Sequence, residues 1–367
     1  MSLDELRQRL SAVDSELVEL IAERQRIVAE VSAHKIRTGT PTRDYGRERE
    51  VLNGVHDRSV ELGLDPDVAV SVMRLLIRSS LTHQERIRVV AESSGAGKRA
   101  LIIGGAGKMG TWLADFLTSQ EFEIEIADPV KADVPYRQIR DWHASPLDHE
   151  LIVVAVALKV SADILAELAE RRPQGLILDV GSLKTPLKGS LDCLVSAGCR
   201  VASIHPMFGS DTRLLSGRHI IFVDVGAPDA MEDAHKLFAS TMVERVDMSL
   251  EEHDRVIGYV LGLSHALNLA FFTALAGSGE LVPQLKQLSS TTFDAQLDVA
   301  SRVAGDNPRL YYEIQALNEY GKAPLDALVS AAQHVRDLVE SRDEEGFIAL
   351  MEQGRRYLGS AGVDADG

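Results

Sequence analysis

Leu101-Ile102-Ile103-Gly104-Gly105-Ala106-Gly107-Lys108-Met109-Gly110 lies well inside the chain and joins an apolar run to a glycine-rich turn. From Gly105 the turn reads G-x-G-x-x-G, and a helical pattern begins near Thr111. A second apolar run follows and ends in Asp128. A strand, a glycine turn, a helix and a second strand that ends in an acid form the β–turn–α–β unit of a dinucleotide-binding site.

Each part of this unit has a physical role in holding a dinucleotide. Glycines let the backbone turn tightly and approach a pyrophosphate, and the free N–H groups of the following helix face that anion. A carboxylate about 20 residues further on can bond the ribose hydroxyls and would repel a 2′-phosphate. A glycine turn also occurs in other parallel sheets, but the two strands and the acid favour NAD. The predicted NAD contacts are Gly105, Gly107, Lys108, Met109, Gly110 and Asp128.

Strand and helix patterns alternate after this unit and then give way to helices alone. The alternation up to about residue 247 predicts a Rossmann-type doubly wound sheet. Beyond Ser249 the pattern is helical almost throughout, which predicts a helical substrate and dimerisation domain. The whole is predicted to be a multidomain α and α/β protein. Its predicted parts are an all-helical domain (1–92), a linker of small residues (93–98), the doubly wound sheet (99–247) and the second helical domain (248–367).

Composition excludes several classes of protein. The residues are 45% apolar and 26% charged, and the net charge of −16 argues against nucleic-acid or membrane-surface partners, which are polyanionic. No uninterrupted apolar run reaches about 18 residues, so no membrane-spanning segment is expected. The opening Met1-Ser2-Leu3-Asp4-Glu5 does not resemble a signal peptide, and the two cysteines lack metal-site spacing. We therefore expect a cytoplasmic protein without a metal site.

The first predicted helix carries cations on its apolar face. From Leu3 to about Ile36, apolar residues recur every three or four positions, and Arg24 and Lys35 fall on the same stripe. A buried cation is costly unless it is paired, so an anion is expected to meet these two. An internal salt bridge, or side chains that extend to the helix edge, are alternatives. At about 50 Å, the helix is too long for a small single-chain bundle and predicts an intertwined homodimer.

Residues 1–90 resemble the all-helical chorismate mutase domain. The resemblance rests on eight positions that occur in the same order: Arg7, Arg24, Lys35, Asp44, Arg47, Glu48, Ser80 and Gln84. It implies that Arg24, Arg47 and Arg7 of the partner subunit bind the two carboxylates of chorismate. A Claisen rearrangement needs a compact substrate conformer and stabilised charge, and it needs no nucleophile.

The other matched positions have implied roles at the breaking bond and around it. Lys35 and Gln84 would hydrogen-bond the ether oxygen of chorismate as its bond breaks. Asp44 and Glu48 would position the loop and the substrate hydroxyl, and Ser80 would line the pocket.

Two candidate catalytic loops follow neighbouring strands of the predicted sheet. Asp179-Val180-Gly181-Ser182-Leu183-Lys184 follows one strand, and His205-Pro206-Met207-Phe208-Gly209 follows the next. Doubly wound sheets place their chemistry at the carboxyl ends of the strands, so these side chains are expected near the cofactor. A histidine before proline is often only structural. Beside a serine and a lysine on the adjacent strand end, it indicates a catalytic base.

Residues 99–340 resemble prephenate dehydrogenase, and the whole chain therefore resembles the bifunctional chorismate mutase–prephenate dehydrogenases of tyrosine biosynthesis. The resemblance rests on the glycine turn, the two loops, His253-Asp254, His265, Arg302 and Asn307-Pro308-Arg309-Leu310-Tyr311. It implies that His205, as a neutral imidazole, accepts a hydrogen bond from the ring hydroxyl of prephenate. Hydride then leaves for NAD, carbon dioxide departs and the ring becomes aromatic.

The same resemblance implies roles for residues around the substrate. Ser182 would orient the histidine base, Arg302 would bind the ring carboxylate, and His265 would line the side-chain end. Lys184 and Tyr311 are further predicted substrate contacts, and a packed aromatic is an equal alternative for Tyr311. Feedback by tyrosine, if present, is expected to act by competition with prephenate in this pocket.

Other interpretations of the sequence remain open. Ser210 and Leu261 stand where the family often has proline and glutamine, so arogenate, the amino counterpart of prephenate, remains an alternative substrate. Another alternative is a β-hydroxyacid-type dehydrogenase with a non-catalytic helical oligomerisation arm, in which Arg24 and Lys35 pair internally. A coiled-coil docking module is disfavoured, because the stripe holds cations and breaks at Gly39-Thr40-Pro41.

Overall fold

The computed structural model of the chain describes residues 1–359, so the last eight residues of the predicted carboxyl-terminal domain lie outside the described residues. The described chain divides into two compact units. The first comprises Met1–Ser182 and Leu187–Leu250, and the second comprises Leu183–Pro186 and the chain from Glu251 onward. The limits predicted at residues 92, 98 and 247 stay predictions.

Three helices precede the sheet in the first unit: α1 (Leu3–Thr38), α2 (Tyr45–Leu62) and α3 (Pro66–Ala91). Ser2 caps α1 with a reciprocal pair of hydrogen bonds. The Glu5 N–H donates to the Ser2 hydroxyl, and the Ser2 N–H donates to the Glu5 carboxylate. This capping box satisfies two backbone donors at the end of a long, continuous helix.

Most of the apolar stripe of α1 is not covered by residues 1–359. Leu10, Leu17 and Leu20 expose 62%, 53% and 59% of their surface, and Ser32 is the buried residue of this helix. Apolar side chains aligned on one helix face lose free energy when they remain in water. The exposed stripe is therefore the physical reason to expect a second protomer.

Eight strands form the sheet of the first unit. In chain order they are β1 Arg99–Ile103, β2 Glu123–Ala127, β3 Arg137–Ile139, β4 Leu151–Val154, β5 Leu176–Asp179, β6 Val201–Pro206, β7 His219–Asp224 and β8 Glu244–Ser249. Their spatial order is β3-β2-β1-β4-β5-β6-β7-β8, and neighbours are parallel except for β6 and β7. The order reverses between β1 and β4, and ligands bind beyond the carboxyl ends of strands at such a switch point.

The helices that connect these strands are α4 (Lys108–Ser119), α5 (Leu158–Arg171), α6 (Lys188–Ser196) and α7 (Pro228–Leu237). Short 3₁₀ turns lie at Trp142–Ala144 and Thr185–Leu187. The central strands are buried on both faces, and Leu101, Ile152 and Ile177 have no exposed surface. This burial explains why their sequences are continuous apolar runs without alternation.

The second unit is helical over its described length. Its elements are α8 (Leu250–Ile257), a π-helical turn (Gly258–Leu263), α9 (Ser264–Ser278), α10 (Val282–Gln287), α11 (Thr291–Ala304), α12 (Pro308–Leu317), α13 (Lys322–Ser341) and α14 (Glu344–Gly359). Helix α9 packs against α11, and the π-helical turn packs against α12 and α13. The predicted multidomain α and α/β fold is confirmed.

The expectation that no segment spans a membrane stays a prediction. The continuous helix Leu250–Ser278 is long and apolar enough, by length and composition, to cross a membrane, with a mean hydropathy of 1.5. Its uninterrupted apolar runs are short, but the glycine, serine and alanine residues between the leucines still leave a high average hydropathy. Length and composition alone do not distinguish a membrane span from the core helix of a helical assembly.

Candidate active sites

Arg24 joins α1 to α3 at the first candidate site. Its guanidinium donates to the Leu76 carbonyl at 3.1 Å and to the hydroxyl of the buried Ser80. The Ser80 hydroxyl in turn donates to the Leu76 carbonyl at 2.8 Å. Burial lowers the pKa of Arg24, because a desolvated guanidinium loses hydration. The side chain is thus held in place by neutral acceptors.

Lys35 is held in a similar way near the other end of α1. Its ammonium donates to the Thr42 carbonyl at 2.7 Å. Within residues 1–359, neither Lys35 nor Arg24 forms an ion pair with a carboxylate. The internal salt bridge considered as an alternative is therefore not formed in the described chain. Two partly buried cations with neutral partners leave their charge available for an external anion.

Gln84 lies one turn beyond Ser80 on α3 and is 7% exposed. Its Oε1 atom is buried and has no hydrogen-bond partner among the described residues. A buried polar atom without a partner costs about 1–3 kcal/mol. A ligand that donates a hydrogen bond to this oxygen would remove that cost.

The remaining predicted residues of this site serve local contacts. Asp44 caps α2 and accepts a bond from the Arg47 N–H at 2.9 Å. Glu48 accepts two bonds from the Arg43 guanidinium, at 2.8 and 2.9 Å. The structure therefore brings Arg24 and Ser80 into contact, but Arg47 instead pairs with exposed Glu50 at 3.0 Å.

Arg7 is also exposed, and its contact is Asp4 at 3.6 Å. A position on the uncovered part of α1 suits a side chain that acts in a second protomer. Its predicted role, like that of Arg47, stays a prediction.

In the glycine turn of the second candidate site, neighbouring atoms lie so close to two glycines that neither position has room for a side chain. A Cβ atom on Gly110 would lie 2.2 Å from the Gly104 carbonyl oxygen, and one on Gly105 would lie 2.5 Å from Ile126 Cβ. Gly107 caps α4 without a side-chain hydrogen bond, so no capping side chain covers the amino-terminal end of α4, which can face an anion. The turn therefore fits the pyrophosphate of a dinucleotide.

Asp128 follows β2 and folds back onto this turn. Its Oδ2 atom accepts a bond from the Ala106 N–H at 3.1 Å, and its Oδ1 atom accepts one from the Val130 N–H at 2.9 Å. The carboxylate is thus fixed beside the glycine turn. This is the position from which an acid can bond the ribose hydroxyls of NAD.

The third group of residues lies at the carboxyl ends of β5 and β6. Asp179 is fully buried, and its carboxylate accepts bonds from the Gly181 N–H at 2.9 Å and the Ser203 hydroxyl at 2.8 Å. These bonds shape the turn that carries Ser182. Strand β6 extends further than the sequence indicates, because His205 pairs with Ile221 of β7. His205 is therefore a strand residue, 5% exposed, and the sheet fixes its position.

Asp254 organises the segment Leu183–Pro186 in the second unit, and sequence reasoning gave it no role. The fully buried carboxylate accepts bonds from the Lys184 N–H at 2.9 Å, the Thr185 N–H at 2.6 Å and the Thr185 hydroxyl. His253 lies 2.6 Å from it. Burial alone would raise the pKa of Asp254, but these hydrogen bonds outweigh it and lower the pKa. The sequence signal was the pair His253-Asp254 near the start of a long helical segment.

Lys184 has no exposed surface. Its backbone N–H is one of the groups that Asp254 holds. The described geometry thus gives this residue a place in the fold of its loop. Its predicted contact with substrate stays a prediction.

His265 and Tyr311 stack in the second unit, with ring centroids 4.0 Å apart. Burial lowers the pKa of His265, and the nearby Asp306 opposes this in part. The Nδ1 atom of His265 is buried and has no partner among the described residues. Arg302 lies exposed in the last turn of α11. A neutral His265 ring with an unpaired Nδ1 atom, stacked on the Tyr311 ring, is suited to the wall of a ligand-binding pocket.

The lowered pKa of His265 predicts a pH effect on stability. The folded chain binds this proton less readily than the unfolded chain, whose histidine keeps the ordinary value of 6.5. Stability is therefore expected to fall as the pH drops through that value. Urea unfolding at about pH 7 and about pH 5.5 should show a smaller loss for His265→Gln than for the wild type. The exposed His56→Gln serves as the control, and equal losses in all three would contradict the assignment.

The geometry defines a class of protein. A glycine turn with Asp128 and a buried His205 at the strand ends of one doubly wound sheet is the arrangement of a nicotinamide-dependent dehydrogenase. The amino-terminal helices add a separate cationic site that needs neither a nucleophile nor a base.

Family models cover both parts of the chain. Residues 6–85 match chorismate mutase type II, residues 124–245 match the nucleotide-binding domain of prephenate dehydrogenase, and residues 249–353 match its dimerization domain. The chain belongs to the family of bifunctional chorismate mutase–prephenate dehydrogenases.

Relatives and solved structures agree with this assignment. The chain is 26% identical over 361 residues to the T-protein of Enterobacter agglomerans, covering 97% of this chain and 93% of that one. It is 24% identical to the T-protein of Haemophilus influenzae, covering 98% and 93%. The prephenate dehydrogenase of A. aeolicus, solved with hydroxyphenyl propionate and NAD⁺, has a similar fold, with a TM-score of 0.55 and 19% identity over 71% of this chain and 98% of that one.

Proposed function

We propose that the chain is a bifunctional enzyme of tyrosine biosynthesis that converts chorismate to prephenate and then, with NAD, prephenate to 4-hydroxyphenylpyruvate. The observation that carries this proposal is the presence of two separate sites. One has uncompensated cations on a helical scaffold that matches chorismate mutase. The other has a dinucleotide turn and a buried histidine on one sheet. A non-catalytic helical arm is not favoured, because within residues 1–359 Arg24 and Lys35 do not form the internal ion pairs that it requires.

In the mutase reaction the protein holds one conformer of chorismate and stabilises charge. Arg24, with Arg47 and Arg7 of the partner subunit, binds the two carboxylates. Lys35 and Gln84 donate hydrogen bonds to the ether oxygen as negative charge develops on it. Arg24 and Lys35 are held in place by backbone carbonyls, so they do not reorganise during the reaction, and such preorganisation is the main source of rate enhancement here.

The positions of Asp44, Glu48 and Ser80 support this arrangement. Asp44 caps α2 and Glu48 anchors Arg43, so both fix the start of the second helix. Ser80 holds the Arg24 guanidinium from α3. We assign Glu48 a contact with the substrate hydroxyl and Ser80 a place in the pocket wall.

In the dehydrogenase reaction NAD supplies the hydride acceptor. The glycine turn and Asp128 hold its pyrophosphate and ribose. His205 accepts the proton of the ring hydroxyl, which requires a neutral imidazole, and Ser182 orients it. Arg302 binds the ring carboxylate, and His265, Tyr311 and Lys184 complete the substrate contacts.

We also infer the assembly and location of the enzyme. The exposed stripe of α1 and the match to a dimerization domain support a homodimer in which both regions form the interface. The kinship with biosynthetic enzymes supports a cytoplasmic location, without a nucleic-acid or membrane partner. Tyrosine, if it inhibits, is expected to compete with prephenate, because it resembles the product and carries a carboxylate.

The function is tested by supplying chorismate to the full chain with and without NAD. Without NAD, prephenate should accumulate. With NAD, reduced cofactor and 4-hydroxyphenylpyruvate should form together, and arogenate should be oxidised more slowly than prephenate. If chorismate is not consumed, the mutase activity is absent, and the remaining interpretation is a dehydrogenase with a non-catalytic helical arm. If arogenate were oxidised faster than prephenate, arogenate would be the substrate of the dehydrogenase.

The carboxylate of Asp128 predicts a preference for NAD over NADP. It would repel the 2′-phosphate of NADP, so kcat/KM for NAD should be at least about tenfold higher. Asp128→Asn keeps an acceptor for the Ala106 N–H but removes the charge, and it should narrow that ratio. The exposed Asp133→Asn is the matched control and should leave the ratio unchanged. A wild-type enzyme that uses NADP as well as NAD would refute the assignment.

A further inference from the structure

Glu85 is a buried carboxylate that neither active site uses directly. It lies on α3 and is 4% exposed. Its two oxygens accept bonds from two backbone N–H groups of the dehydrogenase part, Leu215 at 2.9 Å and Met242 at 2.7 Å. An acid from the mutase helices therefore fixes two segments of the doubly wound domain.

One of these segments is the connection between β6 and β7, residues 207–218. It begins directly after His205 and Pro206 and ends at β7. Arg43 of the mutase part donates to Ser216 in the same connection at 2.6 Å. The mutase helices therefore hold this connection at two neighbouring residues.

The other side of the connection meets the helix that follows the glycine turn. Trp112 of α4 donates from its indole to the Thr212 carbonyl at 2.9 Å. The Trp112 ring also packs edge-on against Phe208, with centroids 4.9 Å apart. The connection thus lies between Glu85 on one side and the nucleotide-binding helix on the other.

The place of Glu85 on α3 brings the two functions close together. Gln84 precedes it directly, and Ser80, which holds Arg24, lies little more than one turn away. The same stretch of helix therefore presents mutase groups and an anchor for the dehydrogenase.

We propose that Glu85 is a positioning residue for the dehydrogenase reaction, contributed by the mutase domain. Its carboxylate fixes the β6–β7 connection and thereby the setting of His205 and the contact between Phe208 and Trp112. This inference rests on the proposed function. It goes beyond that function by making oxidation of prephenate depend on a residue of the other domain.

Ionisation of a carboxyl group is unfavourable at this buried position. Burial raises the pKa of Glu85 above its ordinary value of 4.5, and the bonds from Leu215 and Met242 offset this only in part. Because the folded chain holds the proton more tightly than the unfolded chain, stability falls as the pH rises between the two pKa values. Burial thus makes ionisation of this carboxyl group less favourable in the folded chain than in the unfolded chain, although its oxygens accept bonds from both N–H groups.

The test uses the full chain with Glu85→Gln. The amide oxygen can still accept a bond from one of the two backbone N–H groups. The amide NH2 group faces the other and cannot accept from it. The variant therefore loses one of the two hydrogen bonds with little change in side-chain size. We expect kcat for oxidation of supplied prephenate to fall about tenfold, with KM for NAD nearly unchanged. Mutase activity should stay within about threefold, which shows that α3 is folded. Glu92→Gln, the same change at an exposed position at the end of α3, should alter neither activity.

A spectroscopic measurement reports the connection without catalysis. The chain has two tryptophans, so Trp142→Phe leaves Trp112 as the emitting residue. In that background, Glu85→Gln should shift the Trp112 emission to longer wavelength, and Glu92→Gln should not. If the wild type fails to oxidise prephenate, the proposed function fails, and the emission still shows whether Glu85 holds the connection.

Two outcomes would overturn the proposal. The first is a Glu85→Gln enzyme with wild-type kcat and unchanged Trp112 emission. The second is a parallel loss of both activities with a lower thermal midpoint, which would show a purely structural role. If Glu85→Gln does not fold, Glu85→Asp replaces it. That variant keeps the charge but is too short to hold both N–H groups, and the same split between the activities is expected.

Discussion

Arg24→Ala should lower chorismate mutase kcat/KM at least about 100-fold, because a preorganised charge contact is typically worth about 3 kcal/mol in a transition state. Lys35→Ala should have an effect of similar size, since its ammonium stabilises the ether oxygen as the bond breaks. Neither residue has a carboxylate partner within the described chain, so their removal does not strand a buried anion. Oxidation of supplied prephenate should stay within a few-fold of wild type.

Arg26→Ala provides the matched control for this prediction. Arg26 lies on the same helix two residues from Arg24 but is exposed and paired with Glu23 at 2.8 Å. Its removal should leave mutase kcat/KM unchanged. Equal losses of both activities in Arg24→Ala would show that α1 is only a scaffold, and the mutase assignment would then need other residues.

His205→Asn should lower dehydrogenase kcat by about 100-fold or more, on the usual magnitude of general-base catalysis. Asparagine can still occupy a strand position, and the NAD contacts lie on other elements, so the dissociation constant of NAD should change little. In the wild type the rate should also fall at acid pH, because a protonated imidazole cannot accept the substrate proton. This fall of the rate at acid pH, the acid limb of the pH profile, should be absent from the small residual rate of the variant.

His219→Asn tests whether the effect belongs to His205. His219 begins β7 and is exposed, and it pairs with Glu244 at 3.0 Å. Its replacement should preserve both the rate and the acid limb. If the acid limb persists unchanged in His205→Asn, a different group titrates, and the assignment of the base fails.

Local features of the sequence were sufficient for the fold class and for the cofactor. The glycine turn is determined locally, because Gly105 and Gly110 are required by contacts with residues nearby in the same unit. The long helix α1 follows from its apolar period and its capping box. The match of Arg24, Lys35, Ser80 and Gln84 to the mutase pattern also depends on helical spacing, which a sequence displays directly.

The tertiary structure alone decided which groups those residues meet. Glu85 and Leu215 are separated by 130 positions, and Lys184 and Asp254 by 70. In both cases a carboxylate binds backbone N–H groups, and every residue except proline carries such a group. No side-chain pattern therefore marks the partner. The strand position of His205 likewise depends on pairing with β7. Residue types are enough to predict local chemistry. Backbone partners that are distant in sequence are determined only when the chain folds.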